Sequence, residues 1–397
     1  MTTNSRPPGA TVVRSTAVAV GVTAMGVLPS FLVSAFAVQL RDDFAFDAAR
    51  LGFVVGAFYG VSALGSAIAG RRVEHSGAFR GIALTASCSA VALLVIALFA
   101  TSWWWVLGAL IVAGVGNAVA QPAANLLLAA RTPRARQGLL FGIKQAAVPV
   151  TTLVGGILVP AVGLTLGWQW AFIGLSLVAV GLIAAAPRGE ASGRPSSRPV
   201  MGRTPDLGPL LTVTVGGLLG SAAVNSMGVF HVATGVEAGL APGLAGAMLA
   251  VGSVAGIVAR ITVGWRADLR DGGHLRVVGG LLTVGAVGFV LVGSGAAPWV
   301  FVVGTLLAFA AGWGWNGLYT FAVVRRYPQA PASASGISQT GLWVGGLVGP
   351  PVFGLLASEL SYLTAWGAGA GCLLAAAVLL LVGRRMFLAA DARRAQR

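Results

Sequence analysis

Long apolar runs separated by short polar breaks organise this chain from end to end. Runs of about 20 mostly apolar residues, the length a helix needs to cross a bilayer's hydrocarbon, fall near 15–39, 51–70, 81–100, 104–128, 139–163 and 168–187. They resume near 209–231, 243–262, 277–296, 299–323, 334–357 and 364–383. The pattern predicts an all-α membrane protein of twelve transmembrane helices (spans 1 to 12), grouped six and six. The interval at 188–208 holds Arg188, Pro195, Ser196, Ser197, Arg198, Pro199 and Pro205, a polar linker composition. The expected organisation is an N-terminal six-helix bundle over 1–187, a cytoplasmic linker loop over 188–208, and a C-terminal six-helix bundle with its cytoplasmic tail over 209–397.

Composition agrees. Of 397 residues, 56% are hydrophobic and only 9% charged, against about 25% charged in a soluble domain, and the mean hydropathy is +0.86. Such a chain has too little polar surface for a water-soluble fold, which excludes a soluble enzyme, a nucleic-acid-binding domain and a disordered protein. The net charge of +15 suggests a polyanion binder until the charges are placed. With the N-terminus inside, 23 of the 25 arginines fall on inner loops and ends, and only Arg41 and Arg50 fall outside. Retention of positive charge on the cytoplasmic side therefore puts both termini in the cytoplasm of a multi-pass protein of the cell (plasma) membrane. The first run is too long for a signal-peptide core, although Ala35-Phe36-Ala37 resembles a cleavage site. Cys88 and Cys372 lie in apolar runs without metal-ligand spacing.

The two halves repeat. An offset of 194 residues lays Gly52 on Gly246, Gly70 on Gly264, Arg72 on Arg266, Glu74 on Asp268 and Arg131 on Arg325, and it lays Gly142, Ile143 and Gln145 on Gly336, Ile337 and Gln339. Six spans repeated in one orientation make two parallel-repeat bundles, whose substrate site belongs at their interface near the midplane. Glycine, 58 residues, is about twice as frequent as usual and suits helices that approach closely and slide.

Twelve spans, a long central loop and a Gly-x-x-x-acid loop after spans 2 and 8 resemble the major facilitator superfamily over the whole chain. The family's loop pattern is Gly-x-x-x-Asp-Arg-x-Gly-Arg-Arg/Lys. Here the first copy has Gly70, Glu74, His75, Gly77 and Arg80, with Ala78 and Phe79 where the family is basic. The second keeps Gly264 and Asp268, with Leu269 in place of Arg and Arg270 one position later. The resemblance implies a cytoplasmic latch at these residues, in which an acid pairs with Arg and a helix N-terminus and releases when the halves rock. The other reading is local neutralisation of nearby arginines. The stretches GISQTGLWVGGLVGPP and AGWGWNGLYTF are most similar to the cyanate-permease-like and organic-anion branches. Family antiporters that expel drugs usually carry Gly-x-x-x-Gly-Pro in helix 5; here the nearest match, Gly345 to Pro350, lies in span 11.

No acid falls within a span core, which argues against charge-based recognition of cations and removes the simplest proton relay. One cation is singular. Lys144, the sole lysine, enters span 5 beside Gln145. A buried ammonium is costly and usually functional, so it is read as an anion contact or protonation switch; the competing reading is a side chain snorkelling to the interface. A polar set surrounds it: Thr151 on the same predicted face, Asn117, Gln121 and Asn125 on span 4, Asn225 on span 7, Ser338 and Gln339 on span 11, and Trp313, Trp315, Asn316 and Tyr319 on span 10. The resemblance puts helices 1, 4, 7 and 10 around the cavity. Amides, one cation and a few aromatics suit a small polar anion such as a carboxylate, while interhelical hydrogen bonding explains each amide singly. Trp103, Trp104, Trp105, Trp168, Trp170, Trp299 and Trp366 read as an interfacial belt and His231 as an interfacial polar group. Pro149, Pro160, Pro350 and Pro351 are expected to bend spans 5 and 11.

The leading expectation is a secondary transporter working by alternating access, most simply uptake of a small organic or inorganic anion. The alternative is an efflux pump for a hydrophobic compound. No Ser/His/Asp set, metal cluster or phosphate-cradling loop points to an enzyme, and no cofactor is implied. The expected partners are a small-molecule substrate and the lipid bilayer, with a coupling proton left open, no nucleic acid, and a monomer as the working unit.

Overall fold

The computed structural model describes residues 8–44, 46–131, 143–187, 207–268, 272–295, 297–327 and 331–395. Twelve helices in it are long and apolar enough to cross a membrane: Val12–Ala35, Ala48–Gly65, Ala78–Phe99, Trp103–Leu128, Ile143–Gly163, Trp168–Ala185, Leu207–Glu237, Pro242–Arg266, His274–Ser294, Pro298–Val323, Ile337–Glu359 and Tyr362–Arg393. They fall on the predicted runs one for one. Most of the expected linker, residues 188–206, lies outside the described residues, as does the predicted start of span 5 up to residue 142. With an even number of crossings, both chain ends lie at one end of the bundle.

Local chemistry sets the turns. Asp47 precedes span 2, and its carboxylate accepts the Arg50 backbone N–H at 2.7 Å, filling an orphan donor of the first turn. Between spans 2 and 3 the chain reverses at Gly77, whose φ of 86° strains any residue with a Cβ. The glycine of the expected latch motif therefore has a structural task of its own.

Each half packs as its own bundle. Span 4 lies against spans 1, 2 and 3, and span 3 against span 6; span 12 lies against spans 7 and 9, and span 9 against span 10. The halves meet along two seams, span 2 against span 11 and span 5 against span 8. The repeat maps one seam onto the other. Gly52 and Gly246, equivalent positions, both sit in a seam: a Cβ at Gly52 would collide with the Pro350 carbonyl, and one at Gly246 would come within 2.8 Å of Val159 Cβ. Glycine there lets backbones touch, the packing on which helix association in lipid depends.

Spans 5 and 10 depart from plain α-helix, and span 11 does not. Span 5 turns at Ala146 and closes in a π-helical turn, Val159–Gly163, that contains Pro160. Span 10 passes through a π-helical turn, Ala308–Gly312, and a tight turn at 313–315 before resuming at Asn316. Span 11 keeps one helix, Pro331–Glu359, through Pro350 and Pro351. Of the prolines expected to bend helices, Pro160 lies in the π-helical turn of span 5, and the Pro350–Pro351 pair sits within a continuous helix in span 11.

Candidate functional site

Lys144 is buried, with 2% of its surface exposed. Its Nζ donates to Gln121 Oε1 at 2.6 Å and to Asn125 Oδ1 at 2.7 Å. The two acceptors lie four residues apart on span 4, one helical turn, so their side chains emerge from the same face and grip one ammonium. The structure thus brings together three of the sequence candidates, and the snorkelling alternative for Lys144 fails. Both of these acceptors are neutral amide oxygens, which solvate the ammonium by their dipoles.

The rest of the expected set divides. Asn117 is buried and donates to Ser62 Oγ of span 2 at 3.0 Å, a link within the first half. Thr151, predicted to share a face with Lys144, is buried, and its hydroxyl donates to the Val148 carbonyl of its own helix. Asn225 likewise bonds back to Ser221. Gln145 and Gln339 are half-buried, and Ser338 is buried near the Tyr319 hydroxyl, which donates to the Val213 carbonyl at 3.1 Å. Asn316 opens the last helical segment of span 10, and its carbonyl accepts from Thr320. Trp315 is fully buried against Gly220 and edge-on to Tyr319, and its indole N–H has no hydrogen-bond partner among the described residues.

Arg260 is the residue that sequence reasoning misplaced. Counted there with the inner loops, it lies inside span 8, half-buried. Its Nε and Nη2 donate to the Trp313 carbonyl at 3.2 and 3.1 Å, and its Nη1 donates to the Gln145 carbonyl at 3.1 Å. Both acceptors arise from helix breaks. The helical partner of the Gln145 carbonyl would be the amide of residue 149, a proline that has none. The Trp313 carbonyl opens the turn at 313–315. The guanidinium also lies 5.6 Å from the centre of the Trp313 ring, within cation–π range. That ring contacts Phe31 of span 1 and Phe309 of span 10. One cation thereby ties both halves, between the first turn of span 5 and the last turns of span 8. A signal existed in the sequence: Arg260 follows an apolar run, six residues before the Arg266 that ends the span.

Two further expectations are corrected. Trp366 is fully buried, donating to Thr234 Oγ1 at 2.9 Å, and Trp168 is buried and donates to Asp43 at 2.8 Å, so both leave the interfacial belt. Trp104, Trp105, Trp170 and Trp299 are exposed as a belt requires. His231 is a core residue, wedged between Phe301 and Phe309 and bonded to Thr305.

Of the latch residues, Gly70, Glu74 and Asp268 are described only as helical backbone, and Arg270 lies outside the described residues. Arg80 is exposed in the first turn of span 3, and a Cβ at Gly264 would meet nothing within 4 Å.

The family model of the Major Facilitator Superfamily matches residues 16–341. The chain belongs to the Major Facilitator Superfamily. Solved structures of this fold are similar over nearly the whole chain. A bacterial homolog of the human lysosomal transporter Spinster, inward-facing and unoccupied, aligns with a TM-score of 0.70 at 14% identity, covering 97% of each chain. The nucleoside transporter NupG aligns at 0.73 and 13%, covering 92% of this chain and 99% of its own. A D-xylose–proton symporter aligns at 0.74 and 16%, covering 93% and 97%. At these identities the likeness concerns the fold. No curated protein sequence matches. Membership makes this facilitator a multi-pass secondary transporter of a small molecule, not an enzyme.

Proposed function

We propose that the protein takes up a small organic anion, a carboxylate in the first instance, and that Lys144 is the cation that recognises it. One observation carries the reading: the chain's sole lysine is buried where span 5 meets span 4, its ammonium donating to Gln121 and Asn125, in a bundle whose span cores hold no carboxylate. A buried cation is costly to keep, and an anion arriving beside it gains Coulomb energy that a neutral or cationic compound does not. Gln121 and Asn125 hold the amine in place before the ligand arrives.

On this reading the rocking units are the bundles 1–187 and 209–397, joined by the 188–208 linker. The end that carries the termini is cytoplasmic, as the arginine distribution requires. The loop residues Gly70, Glu74, Gly77 and Arg80, with Gly264, Asp268 and Arg270, serve the same rocking as a latch. The stretches in spans 10 and 11 that resemble the cyanate-permease-like and organic-anion branches fit an anionic cargo.

A ligand-stabilisation screen on the purified protein tests the proposal, because a compound that binds the native state raises its melting temperature by mass action. Acetate, pyruvate and benzoate are compared with their neutral amides and with tetraphenylphosphonium. The carboxylates should raise the melting temperature, and Lys144→Ala should abolish the rise. Stabilisation by the lipophilic cation alone would overturn the anion reading in favour of efflux of hydrophobic compounds.

A further inference from the structure

We infer that Arg260 is a second cationic group of the substrate site and its specificity-determining residue for planar oxyanions. The inference rests on the anion reading above, and it names a residue in the opposite half of the molecule from Lys144.

The donor inventory carries it. A guanidinium has five N–H donors in a fixed fork. Arg260 spends two on the Trp313 carbonyl and one on the Gln145 carbonyl. One N–H on each terminal nitrogen is left without an acceptor among the described residues, two donors that an oxyanion can take. Its partners are two main-chain carbonyls and an indole face, all neutral, so the charge is held without being cancelled. Position points the same way. The Gln145 carbonyl that Arg260 caps belongs to the residue after Lys144, so both cations converge on one turn of span 5, at the seam between the halves. Trp313, with Phe31 and Phe309 beside it, supplies an apolar wall for the body of the ligand.

A carboxylate bound there replaces weak neutral acceptors by a charged one. It also competes for the fork that now ties span 8 to span 5, so occupancy and the contact between halves are linked.

The test uses full-length protein and compares affinities for benzoate, benzamide and chloride from ligand-dependent melting. Arg260→Lys keeps the charge and removes the fork. It should weaken benzoate at least tenfold and chloride less than threefold, a change in selectivity that a brace between helices would not produce. An unchanged benzoate-to-chloride ratio in Arg260→Lys, with Lys144→Ala still abolishing benzoate binding, overturns the role of Arg260 and leaves the anion reading intact. Loss of every anion response in the wild type overturns both. Should Arg260→Lys fail to fold, the wild type suffices: saturating benzoate, but not benzamide, should slow phenylglyoxal modification of Arg260 at least fivefold, followed by mass spectrometry. Equal rates overturn the inference. Failure of the reagent to reach Arg260 does so too, because a side chain closed to a small dicarbonyl is closed to a substrate.

Discussion

The seam between spans 2 and 11 and the seam between spans 5 and 8 are copies of one contact, built from different chemistry. Both bring backbones together at glycine: Gly52 and Gly56 against Pro350 and Pro351 in one, Gly156 against Gly246 and Ala250 in the other. The first is lined by apolar and aromatic groups, with Tyr59 beside Gly346 and Trp343, and its described inter-half hydrogen bond joins Ala49 N–H to Ser358 Oγ at the outer edge. The second carries polar bonds along its length, Thr152 to Ser253 at 2.7 Å and Arg260 to the Gln145 carbonyl, with Lys144 on the same helix. Apolar surfaces slide with little change in energy, whereas hydrogen bonds must be exchanged for others. On the proposed function, the polar seam is where a ligand biases the movement, and the apolar seam is where the movement is permitted.

Substitutions at the shared feature should have the largest effects and affect both seams alike. A Cβ at Gly156 would lie 2.6 Å from backbone atoms of span 8. Gly156→Val should cost about 3 kcal/mol by overpacking and abolish transport into proteoliposomes, and Gly52→Val should do the same; normal transport by either would mean that the backbones need not touch. Lys144→Ala should separate the seams: carboxylate affinity falls at least tenfold while the ligand-free melting temperature changes by only a few degrees. A matching loss of affinity in Tyr59→Phe, at the apolar seam, would erase the distinction.

Smaller effects sharpen the comparison further. In a double-mutant cycle, Thr152→Val and Ser253→Ala should show a coupling of about 0.6 kcal/mol, the usual worth of an interhelical hydrogen bond in lipid; zero coupling would make that contact incidental. The least effect is expected away from both seams, at the Arg326–Asp391 ion pair that ties span 10 to the tail of span 12. Partly exposed pairs contribute about 0–1 kcal/mol, so Arg326→Met should shift the melting temperature slightly and leave carboxylate binding unchanged.

The fold was legible because lipid imposes length and apolarity on every span, and those are properties of the sequence itself. The repeat was legible for the same reason that both seams contain glycine at equivalent positions. Lys144 stood out as a lone lysine among arginines, and its partners Gln121 and Asn125 showed helical spacing. The turn at Ala146 was not foreseen, although Pro149 marked the Gln145 carbonyl that would go free. Arg260 was hidden by its own residue type: among so many arginines, counting by loop absorbed one that reaches across to the opposite half. Trp366 and His231 looked interfacial by position along the chain. Their burial depends on Thr234 and Thr305, contacts that exist only once the helices pack.

The most direct measurement is uptake of labelled acetate, pyruvate and benzoate into proteoliposomes by the wild type and by Lys144→Ala, with and without an inward proton gradient. The account predicts uptake of at least one of the three by the wild type and its loss in a variant that remains folded. Equal uptake by both proteins would contradict it.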